Sequence, residues 1–222
     1  MTVTVQDSLL DWLTDGPDDD PARPRLADLG RARRTHLTAG AWVDVLPGWV
    51  SGSVPVFDRL LSDVPWHGER RQMYERVVTV PRLLSWYGED DPLPHPLLAQ
   101  AREELSEHYR AELGESFRTA GLCLYRDGRD GVAWHGDTLG RSRHEDTMVA
   151  IVSFGSPRSL ALRPRERVPS AGSSQSRRFA LGHGDLVVMG GSCQRTWEHA
   201  VPKTARVVGP RISVQFRPRG VR

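Results

Sequence analysis

From Gly121 onward the chain is written in short strand-like segments, and that punctuation constrains the fold more than any other feature. Gly121–Tyr125 is apolar and is followed by an Arg-Asp-Gly turn. Met148–Val152 is a nearly continuous apolar run, as a strand buried on both faces requires. Further strands are predicted at Leu160–Leu162, Arg178–Leu181, Leu186–Met189 and Ile212–Phe216, separated by Gly-Asp, Gly-Gly and Pro-rich breaks. Many short strands at such spacing fold as a sandwich, a jelly roll or a barrel. No internal repeat is present.

Upstream the pattern changes. Leu97, Ala101, Leu105, Tyr109 and Leu113 recur every four residues and Gly114 stops them, which predicts a helix with His108 beside its buried face. Ala41–Leu46 alternates like a strand and ends at Pro47-Gly48. From Pro55 the spacing is helical, with Val56, Leu60 and Leu61 on one face, and Met73 to Tyr87 carries strand signals broken by Pro81. Residues 1–40 read as a partly ordered arm without chemistry: one apolar turn at Ser8–Leu13, an acidic run from Asp15 to Asp20, then Arg31, Arg33 and Arg34. The fold class is therefore mainly β with flanking α.

At 222 residues the chain fits one domain with extensions, and 38% hydrophobic with 26% charged residues describes a soluble globular protein. No apolar run is long enough for a membrane span, and the opening lacks a basic region followed by an apolar stretch, so no signal peptide is expected. Cys123 and Cys193 have no metal-ligand spacing, and a reduced, cytoplasmic location is expected. A net charge of +2 is too mild to demonstrate nucleic-acid binding. Arg158, Arg163, Arg165, Arg167, Arg177 and Arg178 nonetheless cluster, either as a surface for phosphates or as a solvated basic loop. Ser170–Ser176 is a small low-complexity loop.

The chemistry concentrates in Trp134-His135-Gly136-Asp137. Side chains two apart on a strand share a face, so His135 and Asp137 would aim an imidazole and a carboxylate at one point. That is two thirds of a 2-His-1-carboxylate facial triad, which holds Fe(II) and leaves positions open. His199, far downstream, is placed to complete it. On Arg211–Arg217 the same alternation puts Arg211, Ser213, Gln215 and Arg217 on one face and Ile212, Val214 and Phe216 on the other. Two inward arginines need an anion, and a guanidinium fork matches a carboxylate. A dicarboxylate beside an iron would provide it.

Taken together, His135-x-Asp137, His199 and the Arg211/Arg217 strand resemble the AlkB family of Fe(II)- and 2-oxoglutarate-dependent dioxygenases. The resemblance runs from about Trp42 to the C-terminus. It includes Val80-Pro81-Arg82-Leu83 with Trp86-Tyr87-Gly88, Leu124–Gly128 ahead of the metal strand, and Gly182–Leu186 ahead of His199. It implies a double-stranded β-helix (jelly-roll) core over residues 119–222, a substrate-side extension over 41–118, and one dioxygenase domain over 41–222. By that likeness His135, Asp137 and His199 bind iron. Arg211 pairs with the far carboxylate of 2-oxoglutarate, assisted by Tyr125, and Arg217 lies near the metal-proximal end of the cosubstrate and Asp137. Three positions depart from the family pattern. Cys123 and Ser213 stand where asparagines are frequent near 2-oxoglutarate, and Leu139 stands where some members carry an acidic base contact.

The implied reaction uses Fe(II), 2-oxoglutarate and O2 to demethylate an N-alkylated base of the 1-methyladenine or 3-methylcytosine type, releasing formaldehyde, succinate and CO2. The base must be flipped out or single-stranded DNA to reach such a centre. Trp86 and Tyr87 are candidates to stack on it with Arg82 nearby, or else they are plain core; Arg163, with Arg158 and Arg165, is a candidate for phosphate. His183 reads as structural, and His144, close after the metal strand, has no assigned role. A monomer is expected, with nucleic acid as partner and no membrane. The rival readings are the same chemistry on RNA, protein or a small molecule, and a non-enzymatic jelly-roll module that kept a metal site.

Overall fold

A computed structural model describes residues 23–73, 76–137, 144–166 and 176–221. The apolar turn at Ser8–Leu13, the run Asp15–Asp20, Leu139, Arg167 and most of the Ser170–Ser176 loop lie outside the described residues. In chain order the elements are β1 (Arg25–Leu26), β2 (Arg33–His36), β3 (Ala41–Leu46), β4 (Val50–Ser51), α1 (Val54–Asp63), β5 (His67–Met73), β6 (Arg76–Tyr87), α2 (Pro96–His108) and α3 (Arg110–Leu113). There follow β7 (Thr119–Tyr125), β8 (Val132–His135), β9 (Val149–Gly155), β10 (Arg158–Pro164), β11 (Arg177–Leu181), β12 (Leu186–Gly191), α4 (Cys193–Thr196), β13 (Trp197–Val201) and β14 (Arg211–Arg217).

Eight strands form a large sheet in the order β2-β3-β12-β9-β14-β7-β6-β5, and four form a smaller one in the order β11-β10-β13-β8. The two walls face each other as a double-stranded β-helix. Alternation along the large sheet makes two cores. Cys123, Tyr125, Val149, Ile151, Val187 and Met189 point inward against Leu160, Leu162, Leu181 and Trp197 of the smaller sheet. Leu122, Leu124, Ala150, Val152, Ile212, Val214 and Phe216 point outward, under Val56 and Leu60 of α1 and Leu97, Ala101 and Leu105 of α2. The apolar run at Met148–Val152 is continuous because both faces of β9 are covered.

Some expectations are corrected. Of the three residues expected on one face of α1, Val56 and Leu60 are buried while Leu61 is 36% exposed. Pro81 does not break its strand: β6 runs through it. The register on β5 shifts between Gly68 and Arg70, and pairing with β7 begins at Leu83, so no ladder partner asks for the N–H that proline lacks. Residues 33–36, within the expected arm, form an edge strand of the large sheet.

That edge is fastened by charge. Arg34 donates through Nε and Nη2 to the two oxygens of Asp44, at 2.8 and 2.7 Å, and its guanidinium lies 3.6 Å from the Trp42 ring centroid. The Tyr109 hydroxyl at the end of α2 donates to Asp44 Oδ2 at 3.0 Å, and its ring stacks on Trp42. Burial, the carboxylate and its hydrogen bond all hold the Tyr109 hydroxyl protonated. Asp44→Ala removes the shared acceptor and should cost about 2–3 kcal/mol, against about 1 kcal/mol for Tyr109→Phe. Urea midpoints at constant m value measure both, and the reverse ranking would show that the carboxylate is not the anchor.

Candidate metal centre and cosubstrate pocket

His135 closes β8 and stands opposite His199 of β13 in the register, with ring centroids 4.2 Å apart. Asp137 follows two residues on, and one ligand atom from each of His135, Asp137 and His199 lies within 4.8 Å of the others. His135 Nδ1 is 2.9 Å from the Ala133 carbonyl. A carbonyl only accepts, so Nδ1 carries the proton and Nε2 keeps its lone pair for a metal. Gly136 is required between the ligands: a Cβ there would sit 2.4 Å from Arg165 Nη2 and 2.5 Å from the Gln194 carbonyl.

The carboxylate is oriented before any metal arrives. Asp137 N–H donates to Gln194 Oε1 at 3.0 Å; Asp137 Oδ2 accepts from Arg217 Nε at 2.9 Å and lies 2.8 Å from Arg217 Nη2 in the same ion pair. Asp137 Oδ1 is left facing His135 Nε2 at 3.5 Å. Burial alone would raise this carboxyl, but the Arg217 guanidinium and both imidazoles outweigh it and hold it at about 2. Burial, reinforced by His135 and opposed by Asp137, pushes His199 down to about 3, so it is neutral and able to ligate. Arg217 in turn packs across Gly121, where a Cβ would come within 2.8 Å of Nη1, beside the Trp86 ring.

Deeper in lies Arg211, only 2% exposed. Its Nη2 donates to Ser153 Oγ at 2.8 Å, while Nε and Nη1 have no partner among the described residues. Its guanidinium is 5.3 Å from the ring of Tyr125, whose hydroxyl burial pushes up to about 12. A buried guanidinium with two unanswered donors calls for an anion. The triad, Arg211, Tyr125, Cys123 and Ser213 all line one cavity of about 870 Å3. Two imidazoles, one carboxylate and an unsatisfied arginine in one chamber fit ferrous iron and a dicarboxylate.

A family model described as the 2OG-Fe(II) oxygenase superfamily matches residues 56–217. The human alpha-ketoglutarate-dependent dioxygenase alkB homolog 3 is 30% identical over 215 residues, covering 87% of this chain and 72% of the relative. This chain belongs to the AlkB family of 2OG-Fe(II) oxygenases. The bovine protein of the same name is 32% identical, covering 79% of this chain and 65% of the relative. Human DNA oxidative demethylase ALKBH2 is 30% identical, covering 67% and 60%. The chain thus spans between 60% and 72% of the length of these curated relatives. Among solved structures, OsALKBH1 shares the fold with a TM-score of 0.56 at 15% identity, over 83% of this chain and 99% of that one. A prolyl hydroxylase from Trichoplax adhaerens does so with a TM-score of 0.55 at 13% identity, over 81% and 83%. The family's cofactor and cosubstrates are Fe(II), 2-oxoglutarate and O2, for which the donor set is present.

Not every candidate of the AlkB resemblance reaches the chamber. Arg82 and Trp86 line it, and Arg82 Nε is buried without a hydrogen-bond partner among the described residues. Tyr87 does not, because the alternation of β6 turns it to the opposite face, where it packs on the helix-covered core. Arg163 is also elsewhere: it donates to Glu198 at 2.9 and 2.8 Å and covers the Trp134 ring. Arg158 is buried, donating to the carbonyls of Asp127, Asp130 and Pro202. His183 accepts from Gly155 N–H and is structural. Sequence reasoning missed Gln194, whose contact to Asp137 no local pattern announces. It also gave no role to Gln215, although parity had already placed that residue on the arginine face.

Two expectations concern the metal-free protein. Asp137→Ala strands a buried guanidinium and should cost about 3 kcal/mol, whereas His135→Ala, at a half-exposed side chain, should stay within about 1 kcal/mol. Equal losses in chemical denaturation would contradict the pre-set Arg217–Asp137 pair. The unfolded chain protonates His199 near 6.5 and the folded chain only near 3, so stability from this group is full above about 6.5 and drains as pH falls toward 3. The urea midpoint should drop between pH 7 and pH 5, and His199→Asn should flatten that drop.

Proposed function

We propose that this chain is an Fe(II)- and 2-oxoglutarate-dependent dioxygenase that demethylates N-methylated bases in DNA, of the 1-methyladenine or 3-methylcytosine kind. The observation that carries the chemistry is the meeting of His135, Asp137 and His199 with the unsatisfied Arg211 in one cavity. The relatives named alkB homolog 3 and DNA oxidative demethylase support the substrate class.

Bound iron, with O2 and 2-oxoglutarate, supplies oxidation of the substrate's methyl group, which leaves as formaldehyde alongside succinate and CO2. The chain's own residues bind, orient and shelter. His135 and His199 offer ring nitrogens, His199's held neutral by burial, and Asp137 offers Oδ1 because Oδ2 is tied to Arg217. Arg211 offers its unanswered donors to the far carboxylate while Nη2 stays on Ser153, with Tyr125 beside it and Cys123 and Ser213 on the same wall. At the mouth Trp86, 40% exposed, gives a flipped or single-stranded base a face to stack on, with Arg82 lining the same chamber. Arg165, which stands beside Gly136 between the triad residues, is a candidate for a phosphate contact. The protein is proposed to act as a monomer in a reducing, cytoplasmic compartment, where Cys123 and Cys193 remain thiols. No described helix is long and apolar enough to cross a membrane.

The test is release of formaldehyde and succinate from single-stranded DNA carrying 1-methyladenine or 3-methylcytosine, with Fe(II), 2-oxoglutarate and O2. Equal release, abolished by His135→Ala, is expected. Arg211→Ala should raise KM for 2-oxoglutarate on the order of 10- to 100-fold, the loss expected for charge-assisted hydrogen bonds. Succinate without formaldehyde would move the substrate to RNA, protein or a small molecule. Neither product from iron-loaded protein would leave a binding module.

A further inference from the structure

Arg217 is held from two sides, and only one of them is the metal carboxylate. Its Nη2 also donates to Gln215 Oε1 at 2.6 Å. The other end of that carboxamide reaches back along the cavity wall. Gln215 Nε2 donates to Ser213 Oγ at 3.0 Å and toward Cys123 Sγ at 3.3 Å. Ser213, Gln215 and Arg217 follow one another on the inward face of β14, and Cys123 is the cross-strand partner of Ser213 on β7. A carboxamide can make this join because one end accepts and the other donates, without adding charge; a carboxylate would keep an acceptor for Arg217 but bring a negative charge to the wall, and a leucine would serve neither.

We propose that Gln215 is a positioning residue that couples the two halves of the pocket. Its carbonyl end steadies the Arg217 guanidinium, so that Asp137 Oδ2 is tied off and Oδ1 is presented to the metal. Its amide end fixes the Ser213 hydroxyl and the Cys123 thiol as the polar wall beside 2-oxoglutarate. This rests on reading the chamber as the iron and 2-oxoglutarate site. The other support that Gln215 gives Arg217, its backbone carbonyl to Nη1, is long at 3.4 Å. The side-chain contact is therefore the short neutral one that sets how the guanidinium meets Asp137.

The test uses the full chain with redox-inert Mn(II) in place of iron, measuring Mn(II) affinity by calorimetry and then 2-oxoglutarate affinity of the loaded protein. Gln215→Leu removes the acceptor and should weaken Mn(II) about 10- to 100-fold, as loss of a ligand's outer partner does. Gln215→Glu keeps an acceptor for Arg217 but turns a negative charge toward the cosubstrate. It should leave Mn(II) affinity near wild type and weaken 2-oxoglutarate roughly tenfold or more. Gln215→Met, closer in volume, repeats the first arm should the leucine variant fail to fold. That split between metal and cosubstrate is a result that mere space-filling would not produce. Unchanged Mn(II) affinity in folded Gln215→Leu, or equal losses of both ligands in both variants, overturns the proposal. Wild-type protein that binds neither Mn(II) nor 2-oxoglutarate overturns the functional reading beneath it.

Discussion

The contact on which the site depends is the buried pair between Arg217 and Asp137. Arg217 ends the central strand β14 of the large sheet, and Asp137 follows β8 of the smaller sheet. The pair therefore joins the two walls at the end where the triad stands. Burying two charges is costly unless geometry and further hydrogen bonds compensate. Here the carboxylate accepts from Arg217 Nε within a close ion pair, Gln215 Oε1 takes the Nη2 donor, and Gln194 Oε1 takes the Asp137 backbone N–H. A pair built this way specifies orientation more than it adds stability. It leaves one carboxylate oxygen committed to the scaffold and the other facing His135.

The period of two along the strands connects this site to the fold. On β14 the residues that face the helices are Ile212, Val214 and Phe216, all fully buried, and those that face the chamber are Arg211, Ser213, Gln215 and Arg217. The same strand thus supplies the outer core and the inner chemistry. A one-residue slip would exchange them, putting two guanidinium groups under α1 and α2 and three apolar side chains beside the triad. Pairing with β7 on one side and β9 on the other, along nearly the whole strand, opposes that slip.

The parity argument also explains what could be read from the sequence. His135-x-Asp137 and the arginine face of β14 were legible because alternation on a strand is local, and the same holds for the helix spaced by Leu97, Ala101 and Leu105. His199 was nominated because a facial triad needs a distant third ligand, but its meeting with His135 depends on β13 lying beside β8, a long-range pairing no window contains. Trp86 and Tyr87 were taken as equals, yet adjacent residues on a strand must part to opposite faces, and only the observed register decides which faces the chamber. The basic cluster misled for a different reason. Charge counts do not show what a guanidinium has already bound, and Arg158 and Arg163 are committed to carbonyls and to Glu198.

The contrast between the two pocket arginines carries the last step. Arg217 is satisfied without ligand, and Arg211 is not: two of its donors face the chamber unanswered, and burial pulls its proton affinity below the ordinary arginine range. An unsatisfied buried donor is a standing cost that a carboxylate removes on arrival. The triad end of the chamber is therefore held by the chain's own contacts. The Arg211 end keeps donors that are unanswered among the described residues, an arrangement an anion would complete. Gln215 stands between the halves, touching Arg217 with one end and the wall beside Arg211 with the other. Whatever fixes one half is transmitted to the other through a single neutral side chain.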